Sequence, residues 1–190
     1  NGRRRQRQMC IRDRPSCSPS RGAIITGQEI WRLGEASQLF SAVPKELSKL
    51  CFPLLLESSG YNIGYTQKGW APNDFDVYGW DSYPLGKSYS QKQVKPLTNQ
   101  IVKNDYFNNF KVFLNDNNGK KPFFFWCGTS EPHRAYQKGS GKINGIDLKN
   151  INVPGFLPDE LVIREDISDY LLEIKWTDQH LEKIINLLEK

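Results

Sequence analysis

Nowhere in its 190 residues does this chain approach the 18 or more consecutive apolar residues of a membrane-spanning helix, so no span is expected. An arginine run opens it without the apolar segment of a secretory signal behind it, and no export signal is visible. Cysteine and histidine are scarce. The four cysteines, at 10, 17, 51 and 127, are irregularly spaced without a C-x-x-C pair, and there are only two histidines. That pattern supports neither a disulfide framework nor a zinc cluster, and it leaves the redox compartment open. Beyond its first residues the chain also lacks a charge excess. The net charge is +5, from 26 basic and 21 acidic residues, but five arginines (Arg3, Arg4, Arg5, Arg7 and Arg12) and Asp13 stand at the start, leaving 21 basic against 20 acidic in the body. A body this neutral has no electrostatic footprint for nucleic acid, and no nucleic-acid partner is expected. What is present suffices for a core: 38% hydrophobic and 12% aromatic residues in the length of one ordinary domain exclude intrinsic disorder for most of the chain.

The opening RRRQRQMCIRDR has no apolar periodicity and differs in composition from all that follows. Met9-Cys10-Ile11-Arg12-Asp13 resembles a translation of the transposon-end adapter used to fragment DNA for sequencing. Residues 1–13 are therefore expected to be non-native, with the natural sequence starting at about Arg14 or Pro15. The alternative is a basic arm that touches nucleic acid or an anionic membrane.

Along the body, SPSRGAIITG predicts a short helix, with Ser18 as N-cap, Pro19 at the first helical position and Gly27 as C-terminal cap. Residues 46–59 are helix-like but broken by Pro53, and 61–66 alternate as a strand does. Residues 67–100, rich in Gly, Pro, Asn, Asp, Trp and Tyr without period, read as a long ordered loop of the kind that carries function. A helix over 105–116 presents Phe107, Phe110 and Phe113 or Leu114 on one face, and KPFFFWCG follows as a continuous apolar strand buried on both faces of a parallel sheet. After an irregular stretch at 128–158, one or two helices close the chain on a stripe of Ile167, Leu171, Ile174, Leu181, Ile184, Ile185 and Leu188. The recurrence of helix then strand predicts the α/β class.

Three places could carry chemistry. Cys17 at a helix start, with Arg21 one turn on and leaning back over it, makes a corner that favours a thiolate, a phosphate or a sulfate. The competing reading is a buried, inert cysteine. Lys68, just past the strand, could hold a tetrahedral anion as a point charge or be merely solvated. His133, after the apolar strand, is either structural or a proton carrier, since an imidazole gives and takes protons near neutrality. His180, among charged residues on the closing helix, is expected to face solvent.

The run from Cys17 to Gly27, with cysteine-x-proline-x-arginine and then threonine-glycine after four intervening residues, resembles the signature of the sulfatases. The stretch from Gly60 to Gly69 resembles that family's glycine-lysine segment, and Pro132-His133-Arg134 its proline-histidine-arginine segment. The resemblance spans about residues 14–190, and GQEIWRL, GYTQKGW, EPHRAY and VPGFLPD look closest to the heparan N-sulfatase type. It implies an incomplete piece of an alkaline-phosphatase-like sandwich, a mostly parallel sheet flanked by helices, with 14–190 an internal fragment of the catalytic domain.

For the site, the resemblance implies that Cys17 is oxidised to formylglycine by a maturating enzyme. One hydroxyl of the hydrated aldehyde then attacks sulfur, and the other lets the covalent sulfate be expelled. Arg21 supports that nucleophile, Lys68 clamps the sulfate, His133 protonates the leaving atom, and Arg134 binds a sugar carboxylate or sulfate. The family commonly has histidine where this chain has Trp70. Of the ligands for the family's calcium, only Cys17, as formylglycine, is expected within the chain; the carboxylates are expected outside it, which would leave this piece inactive alone. The substrate implied is a sulfated saccharide, specifically the N-sulfate of glucosamine in a heparin-like glycan, and the compartment periplasmic, secreted or lysosomal. The alternatives are an O-sulfatase on another glycan, or a non-catalytic glycan binder that stacks sugars on Trp70, Trp80 and the loop tyrosines. A thiolate phosphatase fits worse, because no glycine-rich loop lies between Cys17 and Arg21.

Overall fold

Three short parallel strands organise the first part of the chain, and one long helix the last. The computed structural model describes residues 16–189; the adapter-like segment 1–13 and Cys10 lie outside the described residues. The chain forms two compact units, Asn1–Ser88 with Phe113–Gly128 and Tyr89–Val112 with Thr129–Lys190.

In the first unit, helix α1 spans Cys17–Thr26. Its N-cap is Ser16, in extended backbone, and not Ser18: the Ser20 amide already bonds the Ser16 carbonyl at 3.1 Å. Pro19 therefore sits in the first turn rather than at its first position, where its missing N–H is still no loss. Gly27 ends the helix in the left-handed region at φ 67°, while the Thr26 hydroxyl donates back to the Gly22 carbonyl at 2.7 Å and accepts from the Gln28 amide at 3.2 Å. The threonine-glycine pair of the motif is thus a helix stop.

A 3₁₀ turn, Lys45–Leu50, leads into α2, Phe52–Ser58. The break expected at Pro53 falls instead at Cys51, whose backbone is extended, and Pro53 occupies the first turn of the new helix. Strand β1, Asn62–Gln67, is central, with β2, Lys87–Ser88, and β3, Phe123–Gly128, parallel on either side. β2 lies within the predicted loop and was not expected. β3 runs in register with β1 from Asn62 opposite Phe123 to Gln67 opposite Gly128. It is half-buried rather than covered on both faces, because within the described sheet it is an edge strand.

The core of this unit gathers Ile25, Leu33, Ala36, Val43, Leu47, Cys51, Trp70, Phe75 and Leu85. Trp70 is completely buried, so it offers no sugar-stacking face. Cys51 is equally buried; its thiol donates to the Leu47 carbonyl at 3.3 Å, and burial pushes its pKa up to about 12. Among the described residues, Cys17, Cys51 and Cys127 are free thiols.

The unit boundary falls within helix α3, Tyr106–Asn117. Asp105 precedes it and accepts from the Asn108 amide at 3.0 Å, an N-terminal cap. Its buried residues are Tyr106, Asn109, Phe110, Phe113 and Asn117, with Phe107 and Leu114 only half-buried.

The second unit continues through α4, Ser140–Ile143, to α5, Leu161–Leu188. Among the described residues no helix is long and apolar enough to cross a membrane. The stripe expected to be buried on α5 is largely not. Ile174, Leu181, Ile185 and Leu188 are exposed, whereas Ser168, Asp169, Leu172, Glu173, Trp176, His180 and Ile184 are buried. The reason is hydrogen bonding. The Asp169 carboxylate accepts from the amides of Gly139 and Gly141, both at 2.8 Å, and Glu173 accepts from the His133 amide at 2.8 Å. An irregular segment needs partners for its backbone groups, and the helix turns its carboxylates toward it.

His180 is likewise buried, not solvent-facing, with its ring edge-on to Tyr106 and Trp176 and its Nδ1 3.9 Å from Asp105. Burial lowers its pKa from 6.5, against the opposing charge of Asp105. The unfolded chain therefore takes up this proton first as pH falls, so the stability that depends on neutral His180 is complete above 6.5 and declines toward the lower folded value. Glu173, raised from 4.5 by burial, acts with the opposite sign in the range just above 4.5. We expect the melting temperature to fall between about pH 7.5 and 5.5, and to fall less in His180→Gln, as followed by thermal denaturation.

Candidate active site

Cys17 is the first residue of α1, half-buried, at the end where the helix leaves its amides unbonded. Arg21 lies one turn later. Its Nη1 donates to the Lys68 carbonyl and, at 3.1 Å, to that of Gly69, so the guanidinium ties α1 to the loop leaving β1. Burial lowers the Arg21 pKa from its ordinary value, opposed by the charges of Cys17 and Tyr83.

The Lys68 backbone is held from a third side. Its amide donates to the Gly128 carbonyl at 2.8 Å, and its carbonyl also accepts from Trp126 Nε1 at 3.1 Å. The Trp126 ring in turn lies beneath the Arg21 guanidinium, 5.9 Å from its centroid. Three glycines permit this approach. A Cβ on Gly128 would stand 1.9 Å from the Lys68 carbonyl oxygen, one on Gly69 2.4 Å from the Tyr83 hydroxyl, and one on Gly22 2.6 Å from the Trp70 ring. The Tyr83 hydroxyl accepts from the Trp70 amide at 2.6 Å, and burial raises its pKa.

This bracket leaves the Lys68 ammonium without an ion-pair partner among the described residues, half-buried on a fixed backbone. The first unit therefore brings together three of the expected residues: Cys17, Arg21 and the Lys68 loop. An α1 N-terminus, a guanidinium and an unpaired ammonium make a region suited to an anion. Trp70 is in the core and supplies no titrating group there.

His133 and Arg134 belong to the second unit. Glu173 anchors the His133 amide, and the exposed ring turns Nδ1 toward the Arg134 carbonyl at 2.5 Å. That contact assigns the Nδ1 proton and leaves Nε2 outward. The Arg134 guanidinium is engaged by both oxygens of Asp166, with Nη1 to Oδ1 at 2.8 Å, and lies 4.8 Å from the Tyr136 ring.

Sequence reasoning missed the residues that hold the others: Trp126, Tyr83, Gly128, Glu173 and Asp166. A signal existed for two of them, since Trp126 puts a single N–H into an otherwise apolar run that ends on a glycine. As for a metal, no three His, Cys, Asp or Glu side chains come together among the described residues. These residues do not fit a calcium site, which calls for about six to eight oxygen ligands around one ion.

The sequence profile of the family described as Sulfatase matches residues 11–190. No curated protein and no solved structure matches the chain.

Gly128→Ala forces a Cβ onto the Lys68 carbonyl and should destabilise by about 1–3 kcal/mol or more. Trp126→Phe keeps the ring but removes the Nε1 donor from a carbonyl that Arg21 still satisfies, and should cost only about 1 kcal/mol. Urea unfolding of the two variants beside the parent should give that order.

Proposed function

The chain belongs to the sulfatase family, and from that premise we propose that it serves the hydrolysis of a sulfated sugar, specifically the N-sulfate of glucosamine in a heparin-like glycan. The observation that carries the reading is the tie between Arg21 and the Lys68 loop, which sets two cations on the unit that holds Cys17. Sulfatases generally depend on formylglycine and on a metal. Oxidation of Cys17 to formylglycine would supply a hydrated aldehyde, with one hydroxyl to attack sulfur and a second to release the sulfate. Cys17 suits that change: it is a free thiol, half-buried, at a helix start beside a cation.

The chain's own residues then have distinct tasks. Arg21 stabilises negative charge on the nucleophilic oxygen, since guanidinium keeps its charge even when partly buried. Lys68 neutralises the sulfate oxygens, and its fixed backbone means little reorganisation when charge develops. His133, protonated, would hold its Nδ1 proton on the Arg134 carbonyl and give its Nε2 proton to the departing nitrogen. For Arg134 to take a sugar carboxylate or sulfate, that anion must compete with Asp166. Calcium is the metal the family resemblance points to.

The test begins with the modification. Coexpression with a sulfatase-maturating enzyme, labelling with an aminooxy probe and peptide mass mapping should find an aldehyde at Cys17, and none in Cys17→Ala. Failure to label Cys17 would overturn the nucleophile assignment. In the metal-loaded catalytic protein, Cys17→Ala should lower turnover of N-sulfoglucosamine by at least about a thousandfold, and Lys68→Ala by about a hundredfold or more. Faster release of sulfate from glucosamine 6-sulfate than from N-sulfoglucosamine would instead mark an O-sulfatase.

A further inference from the structure

The first unit carries a second concave feature that none of Cys17, Arg21 or Lys68 lines. It is a groove of about 220 Å³ between the 3₁₀ turn Lys45–Leu50 and the loop around Trp80. In a 3₁₀ turn residues three apart eclipse, so Lys45 and Ser48 stack on one side with Lys49 next to them. Trp80, Asp81 and Ser82 also line it, with Leu54 adding an aliphatic surface.

Trp80 is fixed. Its Nε1 donates to the Val43 carbonyl at 2.7 Å, and its ring packs edge-on against Phe75 at 5.1 Å. With that N–H engaged, the indole lines the groove as an apolar surface without a free donor. The polar groups are of another kind: two serine hydroxyls, an ion pair in which Lys45 Nζ stands 3.0 Å from Asp81, and the Lys49 ammonium, which has no ion-pair partner among the described residues. Two lysines against one aspartate leave one positive charge.

The complement of such a surface is a ring with an apolar C–H face, hydroxyls around its edge and one negative charge. We propose that this groove binds a single pyranose unit bearing one anionic substituent, stacked on Trp80 with its anion on Lys49. The volume lies below the roughly 300–1,000 Å³ typical of sites for drug-sized ligands, which suits one ring rather than a longer oligosaccharide. The assignment is independent of the hydrolytic reading, because no residue of that site takes part.

The experiment is a titration of the isotope-labelled chain with N-acetylglucosamine 6-sulfate, followed by amide chemical shifts. N-acetylglucosamine and inorganic sulfate are run beside it. Expected are saturable shifts at residues 45–54 and 80–82 with an affinity on the order of millimolar, weakened at least about tenfold by Lys49→Glu and by Trp80→Ala and unchanged in Lys68→Ala. Lys49 is exposed, so Lys49→Glu tests the groove even if Trp80→Ala unfolds. The proposal fails if no saturable shift occurs at these residues, or if binding survives Lys49→Glu. It fails also if binding is lost in Lys68→Ala, or if inorganic sulfate binds as tightly as the sugar sulfate.

Discussion

The carbonyl oxygen of Lys68 is where helix α1 and strand β3 are tied to the end of β1. It accepts from Arg21 Nη1 and from Trp126 Nε1, while the amide of the same residue is satisfied by Gly128. A carbonyl has two lone pairs, and here both are used by side chains from elements far apart in sequence. Removing either donor leaves the other, but moving the backbone loses both and also frees the guanidinium from its place beside Cys17. The position of the cations therefore depends on a main-chain atom. This explains why Gly128 has no room for a Cβ: one there would stand against this oxygen.

The second unit uses the same economy with the signs exchanged. Its long irregular stretch carries buried and half-buried amides, and α5 meets three of them with carboxylates. Asp169 takes two backbone amides and Glu173 a third, while Glu131 takes the Val102 amide at 2.9 Å and the Tyr106 hydroxyl at 2.6 Å. Each of these carboxylates is buried. Burying charge is costly unless it is fully bonded, so such a face specifies one register of helix against loop, since any other leaves an acceptor empty. The His133 backbone is fixed by this arrangement, which puts its exposed ring on a rigid support.

The family assignment and the geometry support each other at different scales. The profile match covers nearly the whole chain and carries the activity class. The geometry adds what a motif cannot express: Arg21 works on a neighbouring backbone as well as near Cys17, and Trp70 has been absorbed into the core. Arg134, read as a ligand for a sugar anion, is already held by Asp166.

Local rules made much of this chain legible in its residues. The α/β class, a strand within a residue of its observed bounds, a short helix stopped at Gly27, and the adjacency of Cys17 and Arg21 follow from periodicity, from Gly and Pro chemistry, and from the pitch of one helical turn; the N-cap at Ser16 did not. Lys68 and His133 are legible as candidates too, because each follows a strand. What the sequence could not determine was which face of an element meets its neighbour. Apolar periodicity pointed to Ile174, Leu181 and Leu188 as the buried side of α5, yet the helix buries Asp169 and Glu173, because the amides that need those carboxylates belong to a segment some thirty to forty residues away. Trp126 likewise reads as one more apolar residue until the fold brings Lys68 to its N–H. Local pattern is set by spacing along the chain, whereas the partner of a buried polar group is set by long-range packing, and only the tertiary structure decides it.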